Sequence, residues 1–203
     1  MNNNIAIILA GGQGTRFGAK KQFIELDGKP IWQHVYDKVN TIIPKENIVV
    51  VGMDIDGGKT RSYSVIKGLE YFKNKNKNYN KILIAEAARP LVTVEQIKTL
   101  LAVNSKSTTF VMPMVNTPIM RNGTYCDRND FYELLTPQSF DFNMLYDAYQ
   151  QEKNRDLTDE TFVMYKIHNI KPCFVQGGQN LIKLTYLSDK TIIENLYKKQ
   201  GEG

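Results

Sequence analysis

The sequence contains few of the residues that build metal clusters and disulfide frameworks. Among its 203 residues are two cysteines, Cys126 and Cys173, and two histidines. The cysteines are far apart in the chain, and two histidines are too few for a zinc cluster of histidines and cysteines. We therefore expect reduced thiols and a cytoplasmic location, with neither a disulfide framework nor a structural zinc site.

Long apolar runs and an obvious targeting segment are missing as well. The first residues include polar asparagines, and no stretch is apolar over the length that a membrane-spanning helix requires. With 42% hydrophobic and 23% charged residues, the composition is that of an ordinary globular chain. We expect one domain over residues 1–203 and no membrane partner.

The positive charge of the chain lacks the pattern of a nucleic-acid-binding protein. The formal net charge is +5, and part of it comes from alternating lysines and asparagines at 73–78. That run has no apolar anchor and no interleaved aromatic residues, so it is typical of a solvated loop. The charge is compatible with an anionic small ligand, and we expect no nucleic-acid partner.

Short β-branched runs alternate with segments of helical periodicity along the chain. The pattern predicts strands at 5–10, 48–52, 82–85, 109–115 and 173–176, and helices at 31–42, 64–73, 94–103, 144–151 and 161–168. A final helix is predicted to begin at an N-cap formed by Ser188 with Asp189. This alternation predicts an α/β fold with a mostly parallel central sheet flanked by helices. Ligands of such sheets bind at the carboxyl ends of the strands, which places residues 11–21, 57–64 and 86–90 around one crevice.

Residues 116–135 interrupt the alternation. They include Pro118 and the pair Asn122-Gly123, which is the strongest two-residue indication of a hairpin turn. We predict a short projecting arm here. Arms of this kind often contact a second subunit.

The first predicted strand ends in a glycine-rich loop that is followed by cations. The loop contains Gly11, Gly12 and Gly14, and Arg16 and Lys21 come next. Glycines let backbone N–H groups converge on an anion, and the cations add the charge that a triphosphate requires. The pattern lacks the Lys-Ser/Thr pair of a Walker A loop and the third glycine of the dinucleotide fingerprint. A simple strand-to-helix turn is the alternative interpretation of the glycines alone.

Eight short motifs are distributed over nearly the whole chain. They are LAGGQGTRFG (9–18), KQF with LDGKP (21–23, 26–30), GGKTRSYSV (57–65), AARP (87–90), DR (127–128), TPQSF (136–140), TD (158–159) and KLT (183–185). In this order they resemble the cytidylyltransferases that make 4-diphosphocytidyl-2-C-methylerythritol, together with their relatives that act on ribitol 5-phosphate.

The resemblance implies a single Rossmann-like nucleotidyltransferase domain with a defined reaction. In such enzymes the phosphate of a small alditol phosphate attacks the α-phosphorus of CTP, and pyrophosphate leaves. It also implies a Mg²⁺ ion on the triphosphate and a homodimer formed through the arm. Because the second pKa of a phosphate monoester is about 6, the nucleophile is already ionised and no catalytic base is required.

The family motifs assign nucleotide-binding roles to individual positions. Arg16 and Lys21 match cations that bind the triphosphate, and Lys183 matches a cation on the far side of the α-phosphate. A solvated surface charge is the alternative for each of them. The other positions that match the nucleotide site are Ala10, Gly11, Gly12, Gly14, Thr15, Gly57, Gly58, Arg61, Ser64 and Ala87.

The loop at 57–64 matches the part of the family that recognises cytosine and the ribose. A backbone close to the base edge distinguishes cytosine from uracil because cytosine offers an amine donor where uracil offers a carbonyl acceptor. A second interpretation of this loop is a helix N-terminus capped by Ser62 or Ser64. Both interpretations can hold together.

Acceptor and metal residues are also implied, and here the chain departs from the family pattern. Arg89, Thr117 and Arg128 match the family residues that bind the acceptor phosphate. In the family, the arginine that corresponds to Arg128 is often supplied across a dimer interface. Glu86 stands where the family has an aspartate near the metal. Asn116 replaces a further aspartate of the acceptor site.

Two elements are shorter than in the family, which bears on the function that the chain retains. A loop at 51–57 replaces a helix and a strand, so we predict that the sheet has lost an edge strand. The arm is shortened as well. Glu86, Asn116 and the shortened arm leave open a nucleotide-binding relative without catalysis, and a transferase that uses another base is a third hypothesis. The acceptor remains either 2-C-methylerythritol 4-phosphate or a ribitol-like phosphate.

Lys21 provides a direct test of the phosphate-loop hypothesis. We expect Lys21→Ala to leave the fold intact and to abolish turnover, because a cation that stabilises transition-state charge is worth on the order of 3 kcal/mol, about a hundredfold in rate. Circular dichroism checks the fold, and pyrophosphate release from CTP checks turnover. Full activity of this variant would refute the role assigned to Lys21.

Overall fold

The computed structural model describes residues 3–12, 21–152 and 157–201, with the backbone alone at Lys21 and Gly201. The strands in these ranges are β1 (Ile5–Leu9), β2 (Glu25–Leu26), β3 (Lys29–Pro30), β4 (Ile48–Val51), β5 (Lys81–Glu86), β6 (Ser107–Pro113), β7 (Tyr132–Asp141) and β8 (Cys173–Gln176). The α-helices are α1 (Ile31–Asn40), α2 (Arg61–Lys73), α3 (Val94–Ala102), α4 (Phe142–Gln151), α5 (Glu160–His168) and α6 (Leu187–Gly201). Each predicted helix and strand is therefore present, with bounds shifted by a few residues.

Six strands form one sheet in the order β4-β1-β5-β7-β6-β8. β1 pairs in parallel with β4 and β5, and β8 pairs in parallel with β6. Of these six strands, β7 runs antiparallel to its neighbours β5 and β6. The prediction of an α/β fold with a mostly parallel central sheet is confirmed.

Of the six strands in the central sheet, β7 is the one that the sequence pattern failed to indicate. Its polar residues resemble a loop in the sequence, but Gln138 and Ser139 are buried in the sheet. The Gln138 amide donates to Thr109 Oγ1 at 3.0 Å, and the Ser139 hydroxyl donates to the Leu100 carbonyl at 2.9 Å. These hydrogen bonds compensate for burying polar groups, which a search for apolar runs does not anticipate.

The two faces of β1 explain its uninterrupted apolar sequence. Ile5 and Ile7 belong to one core cluster, and Ala6 and Ile8 belong to the cluster on the opposite face. All four side chains are fully buried. Because successive strand side chains point to opposite faces, a strand covered on both sides by helices has no solvent-facing positions.

β4 lies at the edge of the sheet, where the shortened segment 51–57 follows it. The Val50 N–H donates to the Asp54 carboxylate at 2.8 Å, and the Gly52 N–H donates to the Ile55 carbonyl at 2.7 Å. A carboxylate bound to an edge N–H discourages pairing with another chain. The predicted loss of an edge strand agrees with this geometry.

The predicted arm is present, but it is shorter than the predicted range. Ile119 and Tyr125 form an isolated antiparallel bridge, and the Met120 N–H donates to the Thr124 carbonyl at 2.9 Å across the turn that contains Gly123. This confirms a hairpin at Asn122-Gly123. The boundary at residue 135 was wrong, because β7 begins at Tyr132 and pairs with β6.

The last helix begins before its predicted cap. α6 starts at Leu187, so Asp189 lies in its first turn. The Asp189 carboxylate accepts the backbone N–H groups of Thr185 and Tyr186, both at 2.7 Å, and so stabilises the turn that leads into the helix. Within the described ranges, no helix combines the length and the apolar character needed to cross a membrane.

Gly52 is the position where an added methyl group would disturb this fold most directly. Its φ is +104°, and a Cβ would lie 2.5 Å from the Cα and N atoms of Gly11. We expect Gly52→Ala to lower the free energy of unfolding by about 3 kcal/mol, because backbone strain adds to displacement of the glycine-rich loop. Urea denaturation measures the change.

Gly28→Ala is the matched control. Gly28 also has a positive φ, +69°, but nothing lies within 4 Å of its Cβ position. This variant carries the strain alone, about 1 kcal/mol. Equal costs for the two variants would contradict the close packing of Gly52 on Gly11.

Candidate active site

A pocket of about 300 Å³ opens at the carboxyl ends of β1 and β5. The three segments that were predicted to surround one crevice all contribute to it, and residue 183 from the C-terminal part of the chain completes the wall. The lining residues are Leu9, Ala10, Gly11, Gly12, Gln22, Gly58, Lys59, Thr60, Arg61, Ser64, Glu86, Ala87, Ala88 and Lys183.

Glycine contacts bring the loops of this pocket together. A Cβ on Gly11 would lie 3.2 Å from the Cα of Gly57, which is tighter than an ordinary van der Waals contact. The Ala10 N–H donates to the Val51 carbonyl at 2.8 Å and anchors the loop to β4. Gly11 therefore packs closely on the loop at 57–64, with little room for a side chain at this contact.

The N-terminus of α2 forms the base of the second loop. Its N-cap is Thr60, whose hydroxyl accepts the Tyr63 N–H at 3.4 Å, so the prediction of Ser62 or Ser64 as the cap was wrong. Ser64 instead accepts the Gly58 N–H at 3.0 Å and donates to the Thr60 carbonyl at 3.1 Å. These bonds fold the loop back onto the first turn of the helix.

Arg61, the first residue of α2, crosses the pocket floor to the end of β5. Its Nε donates to Glu86 Oε1 at 2.8 Å. The other carboxylate oxygen of Glu86 forms an ion pair with the ammonium group of Lys183. The Leu184 N–H donates to the Ala88 carbonyl at 2.8 Å, so the backbone holds Lys183 beside β5.

The far side of the Arg61 guanidinium is held by Glu160 at the start of α5. Nη1 and Nη2 donate to the two oxygens of Glu160 at 2.6 and 2.8 Å, in a bidentate arrangement. The Tyr149 hydroxyl of α4 donates to Glu160 Oε1 at 3.0 Å. Glu160 and Tyr149 are both almost fully buried.

Opposite charges keep this cluster ionised despite its burial. Burial alone would raise the pKa of the Glu86 carboxyl, but Lys183 and Arg61 outweigh it and lower the pKa to about 2. Burial likewise opposes the charge of Arg61, yet Glu160 and Glu86 raise its pKa well above the ordinary value. Two carboxylates and two cations balance, so the cluster adds no net charge to the pocket.

Arg89 lies beside the pocket without lining it. Its Nε donates to Thr136 Oγ1 at 2.8 Å, and its Nη1 donates to the Leu181 carbonyl. The side chain is 9% exposed, and burial lowers its pKa. In this structure Arg89 connects β7 to the segment that carries Lys183, and its assignment to the acceptor site stays a prediction.

The other two acceptor residues lie on the arm. Thr117 is exposed, and Arg128 donates to the Val115 carbonyl at 2.9 Å. Neither residue lines the pocket of its own chain. Their roles stay predictions.

The principal predicted phosphate-binding residues fall outside the described residues. Gly14, Thr15 and Arg16 lie in the range 13–20, and the side chain of Lys21 is not among the described ones. Of the predicted nucleotide-binding residues that are described, all but Gly57 line the pocket, and Gly57 packs against Gly11 behind it.

The described residues suit a metal ion whose ligands come mainly from the substrate. They suit a metal ion bound mainly by the protein less well. Within these parts of the chain, no three His, Cys, Asp or Glu side chains come together as a metal site. Glu86 is an ionised carboxylate that lines the pocket, but both of its oxygens face cations. A single carboxylate combined with substrate phosphates is a common environment for Mg²⁺. Glu86 fits the role of that one protein ligand.

Comparison with known proteins identifies the family. The model for 2-C-methyl-D-erythritol 4-phosphate cytidylyltransferase matches residues 4–199. The chain belongs to this family. The resemblance seen in the eight motifs is thereby confirmed, and the chain is a CTP-dependent nucleotidyltransferase. The match gives no support to the alternative of a relative without catalysis.

The relatives of this cytidylyltransferase include two kinds of enzyme. The 2-C-methyl-D-erythritol 4-phosphate cytidylyltransferase of Thermotoga neapolitana is 28% identical over 222 residues, which cover 97% of either chain. The bifunctional ribulose 5-phosphate reductase/CDP-ribitol pyrophosphorylase Bcs1 of Haemophilus influenzae is also 28% identical, and the match covers 98% of this chain and 49% of that protein.

Solved structures agree with the fold of the cytidylyltransferase. The bifunctional IspDF of Campylobacter jejuni superposes with a TM-score of 0.79 at 26% identity, over 93% of this chain and 53% of the other. The 2-C-methyl-D-erythritol 4-phosphate cytidylyltransferase of Thermus thermophilus superposes with a TM-score of 0.75 at 20% identity, over 95% and 98% of the two chains.

The cytidylyltransferase site includes residues that the sequence analysis missed. Gln22 and Lys59 line the pocket, Glu160 accepts hydrogen bonds from Arg61, and Tyr149 donates to Glu160. Glu160 directly follows the TD motif at 158–159, so its place beside a motif was the available clue. Tyr149 lies in an ordinary amphipathic helix, and nothing in the sequence distinguishes it from a core residue.

The lowered pKa of Glu86 predicts a specific dependence of stability on pH. A carboxyl group whose pKa is lower in the folded state contributes stability above its unfolded pKa, and this contribution is lost as the pH falls through the folded pKa. We expect the advantage of the wild type over Glu86→Gln in unfolding free energy to shrink between pH 5 and pH 2, by on the order of 3 kcal/mol.

Urea denaturation of both proteins at several pH values within this interval measures the difference. A constant difference from pH 5 to pH 2 would mean that the Glu86 carboxylate is not stabilised by Arg61 and Lys183. If the difference in unfolding free energy is lost only at pH values above 5, this would contradict a lowered pKa of Glu86.

Proposed function

We propose that the protein transfers CMP from CTP to the phosphate of a small alditol phosphate, forming a CDP-alditol and pyrophosphate. The acceptor is 2-C-methylerythritol 4-phosphate or a ribitol 5-phosphate-like compound. The observation that carries this proposal is the pocket itself. It joins a glycine-rich loop, a helix N-terminus and Lys183 in a chain of this family.

The chemistry needs alignment and charge neutralisation more than proton transfer. An oxygen of the acceptor phosphate forms a bond to the α-phosphorus, and the bond from that phosphorus to the bridging oxygen of pyrophosphate breaks. The nucleophile is already ionised, so no proton has to be removed by the protein. Lys183 supplies positive charge at the pocket wall, and Gly11 and Gly12 line the same pocket with backbone that carries no side chains.

The loop at 57–64 favours cytosine over uracil by its hydrogen-bonding state. The Gly58 N–H is already donated to Ser64, so it is not available to a base. The carbonyl of Gly57 already accepts from the Lys67 ammonium group and the carbonyl of Thr60 already accepts from Ser64, so the base would meet another carbonyl of the loop or a second lone pair as its acceptor. Cytosine presents an amine donor to such an acceptor, whereas the O4 carbonyl of uracil would be left without a partner.

Glu86 would be the protein residue that holds a Mg²⁺ ion bound by the triphosphate in this proposal. When bound, the ion neutralises charge on the phosphate oxygens. The carboxylate of Glu86 stays ionised because Lys183 and Arg61 lower its pKa. Its longer side chain, relative to the family's aspartate, reaches Arg61 and Lys183 at once.

A homodimer formed through the arm would complete the acceptor site. Val115, Ile119, Met120 and Tyr125 are all more than half exposed on the arm. An exposed apolar group of this kind is typical of a contact surface. Arg128 lies on the same arm and is absent from the pocket of its own chain, so the partner's pocket is its proposed place of action. We expect neither nucleic acid nor a membrane among the partners.

A panel of substrates tests the function. With CTP and Mg²⁺, we expect pyrophosphate release and a CDP-alditol, detected by mass spectrometry, with 2-C-methylerythritol 4-phosphate, ribitol 5-phosphate or both. Replacing CTP with UTP should lower kcat/KM at least about a hundredfold, because the O4 carbonyl of uracil would face a loop acceptor where cytosine presents an amine donor.

The unphosphorylated alditols serve as controls. They should give no product, because the phosphate is the nucleophile. Silence across the whole panel would overturn the proposed reaction. Equal turnover of CTP and UTP would overturn only the role assigned to the loop at 57–64.

A further inference from the structure

We propose that Glu160 is a positioning residue of the reaction: acting through Arg61 and Glu86, it fixes the ammonium group of Lys183 at the pocket. This inference rests on the proposed function, because it concerns the same pocket. Glu160 itself does not line the pocket and would not touch the substrates.

Arg61 lies between the two acids of the cluster. Its three guanidinium nitrogens all donate to carboxylates, Nε to Glu86 and both Nη atoms to Glu160. The edge of the guanidinium that carries both Nη atoms therefore faces Glu160 and is turned away from the pocket. Arg61 therefore acts on the site mainly as a connection between two acids rather than as a free phosphate ligand.

Burial and hydrogen bonds hold Glu160 firmly in place. It is fully buried, and it is the first residue of α5, directly after the Asp159 N-cap. The Tyr149 hydroxyl donates to it at 3.0 Å. The Ser62 hydroxyl donates to the Leu157 carbonyl, which ties α2 to the segment before α5. Glu160 is therefore held in one position, and its hydrogen bonds position Arg61.

The charge of Glu160 affects how Arg61 and Lys183 pair with Glu86. With Glu160 present, two carboxylates face two cations. Without its charge, Glu86 is the one remaining carboxylate of this cluster, and Arg61 and Lys183 compete for it. Arg61 is the more buried of the two cations, with a side chain 25% exposed against 33% for Lys183. The geometry predicts that Glu86 then turns toward Arg61 and that Lys183 loses its partner.

The same pair of helices offers a matched control. Glu152 at the end of α4 is 4% exposed and forms a salt bridge of 2.7 Å with Lys166 of α5. It is a buried acid between α4 and α5 like Glu160, but its salt bridge is to Lys166 and not to Arg61. Glu152→Gln therefore reports the general cost of neutralising an acid between these helices.

The experiment compares Glu160→Gln and Glu152→Gln in the wild-type and the Lys183→Met backgrounds. In the wild type we expect Glu160→Gln to lower kcat at least about tenfold, while KM for CTP changes less than about threefold. In the Lys183→Met background the same change should cost less than about threefold, because its effect passes through Lys183. Glu152→Gln should have the same small effect in both backgrounds.

A second readout does not depend on turnover. Modification of lysines by an amine-directed reagent, followed by peptide mass spectrometry, measures how accessible the Lys183 amine is. Relative to Lys190 of the same chain, Lys183 should react at least about threefold faster in Glu160→Gln than in the wild type. Its rate should be unchanged in Glu152→Gln.

The outcomes separate the two proposals. If the wild type transfers no nucleotide but Lys183 still reacts faster in Glu160→Gln, the proposed function fails and the coupling stands. If the losses in kcat are equal in both backgrounds, or if Lys183 reacts at the wild-type rate, Glu160 is structural only and this inference is overturned.

A milder variant keeps the test usable if Glu160→Gln does not fold. Tyr149→Phe removes one hydrogen bond to Glu160 and preserves the ring volume in the core. It should shift kcat and the Lys183 modification rate in the same directions by a smaller factor, about threefold. Wild-type values for both quantities would overturn the inference.

Discussion

The pocket depends on a buried arrangement of opposite charges at the end of the central sheet. Glu86 and Glu160 are almost fully buried, and a buried carboxylate is costly unless cations and hydrogen bonds compensate it. Arg61 satisfies both acids, and Lys183 satisfies the open side of Glu86. Through these contacts, α2, β5, α5 and the segment before α6 hold one another in place. A substitution that removes one charge leaves the others uncompensated.

Backbone packing supplies the complementary constraint. Gly11, in the loop after β1, lies so close to Gly52 that a Cβ on Gly52 would be 2.5 Å from it, and a Cβ on Gly11 would be 3.2 Å from the Cα of Gly57. This contact brings the loop at 57–64 next to Gly11, in the described part of the predicted phosphate-binding segment. The charged cluster joins the start of α2 to the end of β5, and the glycine contacts bring the loops after β1 and β4 together. Both constraints act at the carboxyl ends of parallel strands, where helix N-termini also point.

This combination suits a reaction in which the protein aligns two anions. A phosphate nucleophile and a triphosphate repel each other, so their approach has to be offset by fixed positive charge. Because the charges of the cluster at the pocket floor balance, its charged side chains hold one another in place. The cluster still presents Lys183 at the wall, where the charge of a substrate can compete for it.

Local patterns in the sequence determined most of the architecture. Apolar strands such as β1 and amphipathic helices such as α3 were recognisable because side chains on one face share one environment. Chain order then placed three loops around one crevice, and the motifs indicated the family. The sequence failed at β7, because Gln138 and Ser139 are polar residues whose burial is compensated by partners distant in the chain.

The arrangement of the cluster was decided by the tertiary structure alone. Arg61 and Glu160 are 99 positions apart, and no local pattern relates a residue at the start of α2 to one at the start of α5. The sequence by itself determined which chemical groups are available and which elements carry them. Only the folded sheet decided which acid meets which cation, because the energy of an ion pair depends on distance and burial, and both arise when the elements pack.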